Sequence, residues 1–458
     1  MARRVVVVGA GVAGLAAAHR LLRDDPDLEL TILESDRAPG GRLGSVDVAG
    51  LPIEAGPDAF VARKPSAVEL CRELGLELDA PGARGAFVWT RRGLVPLPPG
   101  ALGIPAEAES LLRWPGLSRR GRLRAVGDLV RRSATTQDDE PLGELLRRRL
   151  GNEATETLVA PLLAGLFAGD VDHLGVRATF PELAEWERER GSLIRGAKAS
   201  LDAGRDAGPI FLRPRGGTGE LPRALSASVG RERIRTRVAG EGVERDGDAW
   251  VVRSGDRLLG ADAVVVATPA HVAADILAGV APAAAAPLRR IAYVSTAVVA
   301  LVYPDDTGDA LPPMTGFVVP AGRAPMTAAT FLSRKWPEAA FGTRAVLRCF
   351  VGAAGSEDVL EADDDEIVDA VCRHLAALLP LPERPTHSAV VRWPRSMPQF
   401  EVGHLELVRA IDEGLPPGIV VAGNATLGVG VADAVRSAHE AADRVRIHLT
   451  RSVGTETR

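Results

Sequence analysis

The apolar positions near the start of the chain form two short runs with a helix-like segment between them. Residues 3 to 8 end in consecutive valines, residues 12 to 23 are rich in alanine and leucine, and residues 28 to 33 are again mostly apolar. Short uninterrupted runs suit strands that are buried on both faces, and the middle segment suits a helix that packs on them. The pattern predicts a strand, a helix and a second parallel strand.

Short β-branched runs return much later in the chain. Residues 263 to 267 and residues 419 to 422 are each followed by a turn and then by a helical pattern. We expect both runs to join the first parallel sheet, so that this domain is discontinuous in sequence. Residues 296 to 303 and 344 to 352 suit antiparallel strands, whereas the segment from about 100 to 200 is predicted to be mainly helical.

The helical segment contains a strongly basic stretch. Residues 111 to 132 carry seven arginines and one aspartate, with Leu123, Val126 and Val130 at helical spacing after Ser118. We expect Ser118 to cap a helix that carries this apolar stripe. The whole chain has 55 Lys plus Arg against 60 Asp plus Glu, a net charge of −5, which gives no general reason to expect nucleic acid as a partner.

Three glycines follow the first predicted strand at the spacing of a dinucleotide-binding fingerprint. Gly9 permits the tight turn, Gly11 lets a pyrophosphate approach the backbone, and Gly14 lets the helix pack on the strand. Glu34 ends the second strand, where it can accept hydrogen bonds from an adenosine ribose. A secretory signal that begins at Arg3 and a plain glycine-rich turn are the alternatives, and a signal has no use for this spacing.

Further motifs favour FAD over a nicotinamide cofactor. Gly40, Gly41 and Arg42 let the chain pass close to the pyrophosphate, with a guanidinium that can pair with phosphate or flavin oxygens. An EAGP turn at residues 54 to 57 can place backbone beside the isoalloxazine ring. Residues 420 to 445 predict a strand, a glycine-rich loop and a helix whose N-terminus would stabilise negative charge on a reduced flavin. A surface turn and an ordinary connection between strand and helix are the alternatives.

The sequence offers no second dinucleotide fingerprint and no CxxC pair, since Cys71, Cys349 and Cys372 lie far apart. Dioxygen is therefore the expected electron acceptor, and the FAD is expected to be noncovalent. No histidine, catalytic triad or metal-ligand spacing stands out, and hydride removal by a flavin depends mainly on how the substrate is placed. We predict a cytoplasmic flavin oxidase without a metal or a transmembrane segment.

The chain resembles the oxygen-dependent porphyrinogen oxidases of haem biosynthesis over nearly its whole length. The resemblance lies in residues 56 to 76, 161 to 183, 187 to 196 and 393 to 406, the last of which contains a WPRSMPQ motif. Related amine oxidases and phytoene desaturases share the flavin motifs without the block at residues 165 to 196. The resemblance implies that six hydrogens leave a porphyrinogen in three flavin cycles, each of which produces peroxide.

The fold class that the resemblance implies is α/β with α+β, as in the flavin amine oxidases. It comprises a discontinuous Rossmann-like FAD domain, a mixed-sheet substrate domain and a helical domain. The expected boundaries are 1–60, 212–280 and 390–458 for the FAD domain, 61–99 and 281–389 for the substrate domain, and 100–211 for the helical domain.

The same resemblance implies which residues contact the flavin and the substrate. The flavin contacts are expected at Gly9, Ala10, Gly11, Val12, Ala13, Gly14, Glu34, Ser35, Gly41, Arg42, Gly56, Pro57, Asp58, Ala59, Val238, Trp393, Gly423, Val429, Gly430 and Val431. The substrate contacts are expected at Lys64, Arg91 and Arg92, with a solvated surface position as the alternative for each cation. Residues 424 to 435 lack the aromatic residue and the Asp-Cys pair of the family, which leaves the shape of the flavin's re side open.

The four-carboxylate coproporphyrinogen III is predicted as substrate rather than the two-carboxylate protoporphyrinogen IX, because an arginine-rich segment suits a polyanion. One alternative is a protoporphyrinogen oxidase whose arginine face meets anionic lipid in a peripheral membrane contact. The others are a flavin amine oxidase or carotenoid desaturase, and a flavin-binding protein without turnover. The oligomeric state is left open.

Overall fold

The computed structural model describes residues 3–133, 138–204 and 208–455, which are built around a five-stranded parallel sheet. The central strand pairs in register with both neighbours, for example Val8 with Leu33 and with Val266. The predicted unit of strand, helix and strand is confirmed, and both late runs join the same sheet. In spatial order the strands are Ile234–Thr236, Glu29–Glu34, Arg4–Val8, Ala263–Val266 and Ile419–Val421.

Helices cover both faces of the parallel sheet because its strands are apolar throughout. Val5 and Val7 of the central strand pack with the helices Val12–Asp24 and Val431–Thr455 on one face. The alternate valines of that strand face the helices Ala270–Leu277 and Pro282–Arg290 on the other face. A three-stranded antiparallel unit adds to this second face, with strands Gly242–Asp246, Ala249–Ser254 and Arg257–Ala261.

A seven-stranded mixed sheet forms the second large sheet of the molecule. Its strands Tyr293–Val302 and Val346–Val351 pair antiparallel, which confirms the antiparallel pattern expected there. The expected boundary at residue 390 falls inside the edge strand of this sheet, and the division into three domains stays a prediction. The spatial order is His387–Pro398, Tyr293–Val302, Val346–Val351, Met326–Phe331, Gly316–Val318, Phe87–Thr90 and Gly93–Pro96.

The segment from about residue 100 to residue 200 is mainly helical, as predicted. Ser118 caps the helix that follows it, since its hydroxyl accepts a backbone hydrogen bond at 3.0 Å. Within the basic stretch, Arg124 donates at 2.9 Å to the three carbonyls of residues 147 to 149, where the helix Leu142–Leu150 ends. This arginine satisfies the last carbonyls of a helix and is not available to a ligand.

The apolar stripe expected in the basic stretch forms only in part, because Val126 packs against the core of the helical segment but Leu123 and Val130 do not. Leu123 is 67% exposed and Val130 is 86% exposed. The helix stops at Val126, so Val130 lies beyond its end and does not share its face. Packing occurs through Gly121 and Ala125, which are buried, because small residues on this face allow the neighbouring segments to approach closely.

The remaining elements connect these layers. No helix within the three described ranges is long and apolar enough to cross a bilayer. The helical segment contains Ala108–Arg113, Arg119–Val126, Leu142–Leu150, Asn152–Ala154, Ala160–Phe167, Val176–Thr179, Pro181–Arg190 and Leu193–Ala203, with a π-helical turn at Thr155–Val159. Further helices are Pro65–Glu73, Glu220–Val229, Leu332–Lys335, Asp364–Ala376 and His404–Gly414, and short strands are Ser45–Val48, Leu51–Glu54, Phe60–Val61, Leu78–Asp79, Gly100–Ala101, Ile104–Pro105 and Phe211–Pro214.

Candidate functional site

The turn between the first strand and the first helix depends on three glycines with different roles. Gly9 has a φ of 102°, a conformation that favours glycine. A Cβ on Gly14 would lie 1.9 Å from the Gly9 carbonyl oxygen, so only glycine lets the helix approach the strand. Gly11 has an ordinary extended backbone, and a Cβ added to it would meet no protein atom within 4 Å. This open space at a helix N-terminus suits a pyrophosphate.

Glu34 lies at the end of the second strand, next to the glycine turn. The Ala10 N–H donates to one carboxylate oxygen at 2.7 Å, and the Asp36 N–H donates to the other at 2.8 Å. The Ser35 hydroxyl lies 3.3 Å from that second oxygen, and the Val238 N–H donates to the Glu34 carbonyl at 2.8 Å. The oxygen that accepts from Ala10 keeps a lone pair for a ribose hydroxyl.

The GGR loop, residues 40 to 42, runs alongside the glycine turn. The Gly40 N–H donates to the Ala10 carbonyl at 2.9 Å, and a Cβ on Gly41 would lie 3.1 Å from the Gly11 Cα. The guanidinium of Arg42 has no carboxylate partner in the described part of the chain, and burial lowers its pKa. A desolvated guanidinium without a counter-ion fits a phosphate or another anionic oxygen.

Donors from three distant segments hold the EAGP turn, residues 54 to 57. Its three successive carbonyls, those of residues 55 to 57, each accept one side-chain hydrogen bond. In order, the donors are the Trp393 indole at 2.7 Å, the Arg348 guanidinium and the Thr218 hydroxyl at 2.7 Å. The turn is therefore fixed by side chains that lie far away in sequence.

The EAGP turn and the two residues after it also carry free donors. Across the described residues, the N–H groups of Gly56, Asp58 and Ala59 have no acceptor. The carboxylate of Asp58 is engaged elsewhere, by Lys335 at 2.8 Å and by the Trp336 indole at 3.1 Å. Any contact of Asp58 with a cofactor would thus use its backbone. Free N–H groups suit the oxygens and ring nitrogens of an isoalloxazine.

The C-terminal loop, residues 423 to 430, leads into the last helix. A Cβ on Gly423 would meet no atom within 4 Å, and one on Gly430 would meet a single neighbouring carboxylate at 3.0 Å. Val429 packs against the helical segment, and Val431 begins the helix, as the pattern predicted. The loop offers backbone and open space to a ligand, with little side-chain chemistry.

Lys64 is tied to the C-terminal loop. Its ammonium lies 2.7 and 2.9 Å from the two carboxylate oxygens of Asp433, which is buried in the first turn of the last helix. The nearby Ser66 hydroxyl donates to the Ala432 carbonyl at 2.5 Å. Lys64 is still half exposed, with 53% of its side chain accessible. Its contact with substrate stays a prediction.

Arg91 and Arg92 lie exposed on the turn between the strands Phe87–Thr90 and Gly93–Pro96. Neither guanidinium has a carboxylate partner among the residues that the structure describes. Arg323 lies beside them, since it donates to the Thr90 carbonyl at 2.9 Å. The turn therefore presents a group of unpaired cations, which keeps the predicted contact with substrate carboxylates physically reasonable.

Sequence reasoning missed a group of side chains next to Arg42. The rings of His271 and Tyr293 meet edge to face at 5.0 Å, and the Tyr293 hydroxyl accepts the Ala270 N–H at 2.9 Å. Burial and the charges of two nearby arginines, of which Arg42 is one, lower the pKa of His271. No motif marked these residues. Arg348 was missed as well, although an arginine inside the apolar strand VLRCFV was a usable signal.

Comparison with known proteins places this geometry among flavoproteins. A family model described as flavin containing amine oxidoreductase matches residues 12–446. Coproporphyrinogen III oxidase from Bacillus subtilis strain 168 is 33% identical over 452 residues, which cover 94% of this chain and 96% of that protein. A candidate protoporphyrinogen oxidase from Exiguobacterium sp. 255-15 has a crystal structure with a TM-score of 0.86 at 30% identity, covering 98% of this chain and 99% of that one. Cyclohexylamine oxidase from Brevibacterium oxydans IH-35A shares the fold, with a TM-score of 0.69 at 18% identity over 98% of this chain and 100% of that one.

Proposed function

The chain belongs to the flavin-containing amine oxidoreductase family, and we propose that it is an FAD-dependent oxidase that converts coproporphyrinogen III to coproporphyrin III with dioxygen. When bound, the flavin supplies the acceptor for hydride from the substrate. The protein's own residues bind the two molecules and orient them. The proposal includes a cytoplasmic location, which suits the free and buried thiols of Cys71, Cys349 and Cys372.

The observation that carries this proposal is the junction of the glycine turn and the GGR loop, together with glycines that leave open space above their backbone. At Gly11, Gly44 and Gly423 an added Cβ would meet no protein atom within 4 Å. These glycines belong to the glycine turn, the segment after the GGR loop and the C-terminal loop. Of these, Gly11 lies against the GGR loop, since a Cβ on Gly41 would lie 3.1 Å from its Cα. The open backbone at this junction suits a dinucleotide, for which Arg42 offers a cation that has no carboxylate partner among the described residues.

The choice of substrate rests on similarity over nearly the whole chain and on charge. The unpaired guanidiniums of Arg91 and Arg92, with Arg323 beside them, can pair with propionate groups. A porphyrinogen with four carboxylates uses such cations more fully than one with two. We propose that these arginines and Lys64 hold the edge of the macrocycle.

The test of this function is turnover of coproporphyrinogen III and protoporphyrinogen IX side by side under air, followed by porphyrin fluorescence. We expect kcat/KM to favour coproporphyrinogen by about tenfold or more, because the smaller substrate lacks two paired carboxylates. The double variant R91A/R92A should narrow this ratio, mainly through KM. The double variant R231A/R257A is the control, since both positions are exposed and lie outside the basic stretch.

Two results would contradict the substrate assignment. One is equal or faster turnover of protoporphyrinogen, with activity that depends on added membrane. The other is the absence of turnover with both porphyrinogens, together with a flavin spectrum that anaerobic substrate never bleaches. That second result would indicate a flavin-binding protein without this activity.

We expect the FAD to be released when the holoprotein is precipitated with acid. The described cysteines are all buried, and burial raises the pKa of Cys71 to about 12, so no reactive thiolate is available to form a thioether with the ring. Absorbance of the supernatant at the flavin maximum measures the release. Yellow cofactor that stays with the pellet would contradict noncovalent binding.

A further inference from the structure

Arg348 is a fully buried arginine in the strand Val346–Val351 of the seven-stranded sheet. Its guanidinium donates to the Gly56 carbonyl and lies 3.6 Å from the Asp58 carboxylate. Its Nε and Nη1 groups have no hydrogen-bond acceptor in the described part of the chain. A buried cation in this state is unfavourable compared with a well-packed apolar residue of similar volume. Its presence therefore needs a reason other than stability.

The carboxylates around Arg348 do not depend on it alone. Asp58 also binds Lys335 at 2.8 Å, and Glu54 at the other end of the EAGP turn binds Arg213 at 2.9 Å. Burial would raise the pKa of Asp58, but Lys335 and Arg348 together hold it well below its usual range. Without Arg348, Asp58 would still have a cation beside it. Neutralising a carboxylate is thus not the main role of Arg348.

The three side-chain contacts on the EAGP turn differ in the kind of peptide group that each of them polarises. The first and third carbonyls belong to peptides with free N–H groups, so Trp393 and Thr218 strengthen two unused donors. The second carbonyl, that of Gly56, belongs to the peptide bond with Pro57, which has no N–H. Of the three peptide groups of the turn, Arg348 contacts only this middle one. It can therefore fix how the two donor peptides are oriented relative to each other.

We propose that Arg348 is a positioning residue for the flavin, acting through the Gly56 carbonyl to hold the free donors of the EAGP turn in place. Reduction adds negative charge to an isoalloxazine, and donors that are already oriented stabilise that charge without reorganisation. Arg348 touches neither substrate nor reacting atoms in this proposal. The proposal goes beyond the proposed function, because it holds for any substrate of this flavoprotein.

The test compares wild type with R348M, using FAD titration of apoprotein and the midpoint potential from an anaerobic dye-coupled titration. We expect oxidised FAD to bind about as tightly as in wild type, within about threefold. The Kd of reduced FAD should rise about tenfold more than the Kd of oxidised FAD. This difference lowers the two-electron potential by about 30 mV. The same change should lower kcat with little effect on KM, since an interaction of the reduced state has been lost.

The control is R392M in the edge strand His387–Pro398 of the same sheet, which the strand Tyr293–Val302 separates from the strand of Arg348. Arg392 also donates to a backbone carbonyl, that of Leu360 at 3.1 Å, but in the described part of the chain it makes no hydrogen bond or ion pair with the EAGP turn. Its variant should keep the wild-type potential. An R348M protein with wild-type potential and wild-type kcat would overturn the proposal. If R348M does not fold, the midpoint potential of R348K provides the test. A potential that shifts part of the way supports the proposal, and a wild-type potential overturns it.

Discussion

The Gly11→Val variant should lose FAD affinity by about 100-fold or more and still keep its fold. Gly11 has φ −68° and ψ 176°, a conformation open to any residue, and its added Cβ meets no protein atom within 4 Å. The valine side chain would instead occupy the space that suits the pyrophosphate. Affinity is measured by titrating apoprotein with FAD, and folding by circular dichroism and thermal unfolding of the apoprotein.

Two other glycines provide the controls for this prediction. Gly279→Val introduces the same side chain at an open surface position and should bind FAD normally. Gly14→Ala places a Cβ 1.9 Å from the Gly9 carbonyl oxygen, so it should destabilise the apoprotein itself. Full flavin occupancy in Gly11→Val would mean that the glycine turn does not bind the pyrophosphate.

The local parts of the fold and site could be predicted from sequence because their signals lie close together in the chain. The spacing from Gly9 to Gly14 and the acid at Glu34 predict a dinucleotide turn, and the structure brings them within hydrogen-bond distance through Ala10. The α/β with α+β architecture is confirmed by the family match and by the solved structures of similar fold. Short apolar runs also sufficed to assign distant strands to one parallel sheet.

The long-range contacts of the site could not be predicted in the same way. Arg348 lies 292 residues from Gly56, and Lys64 lies 369 residues from Asp433. No periodicity encodes which charged residue of one segment meets which turn of a distant segment. An unpaired charge in an apolar strand indicates that some partner exists, but only the packing of the two sheets identifies it.

The apolar stripe expected in the basic stretch was wrong at Leu123 and Val130 for a related reason. Helical spacing predicts a buried face only as long as the helix continues, and here it ends at Val126. The face that packs is chosen by small residues at positions 121 and 125, which let other segments approach. Leu123 then lies on the exposed side. Val126, the last residue of the helix, still packs against the core.

The stability of the protein should fall as the pH drops below about 6.5, and His404 should account for much of the change. His404 is 2% exposed, stacks on Phe400 at 3.9 Å, and has no well-formed hydrogen bond at either ring nitrogen. Burial lowers its pKa to about 4, although the Thr426 backbone and Glu406 favour the protonated form. Its place at the first position of the helix His404–Gly414 also disfavours a positive charge.

The direction in which stability changes with pH depends on whether the folded or the unfolded state binds a proton at His404 more readily. Below about pH 6.5 the unfolded chain protonates this histidine, whereas the folded protein keeps it neutral until about pH 4. The contribution to stability is therefore complete above pH 6.5 and is lost as the pH falls through that window. The loss should be about 2 kcal/mol between pH 7.5 and 5, and about 3 kcal/mol by pH 4.

His404→Phe should remove this part of the pH dependence, because phenylalanine can keep the stack on Phe400 and does not titrate. The measurement is urea unfolding of wild type and variant at pH 7.5 and at pH 5. For each protein, the free energy of unfolding at pH 5 is subtracted from that at pH 7.5, and the two differences are compared. His387→Phe, at an exposed position, should keep the wild-type difference. Because His404 packs near the C-terminal loop through Thr426, protonation should also speed the release of FAD at low pH. An identical pH dependence in wild type and His404→Phe would show that the imidazole titrates normally in the folded protein.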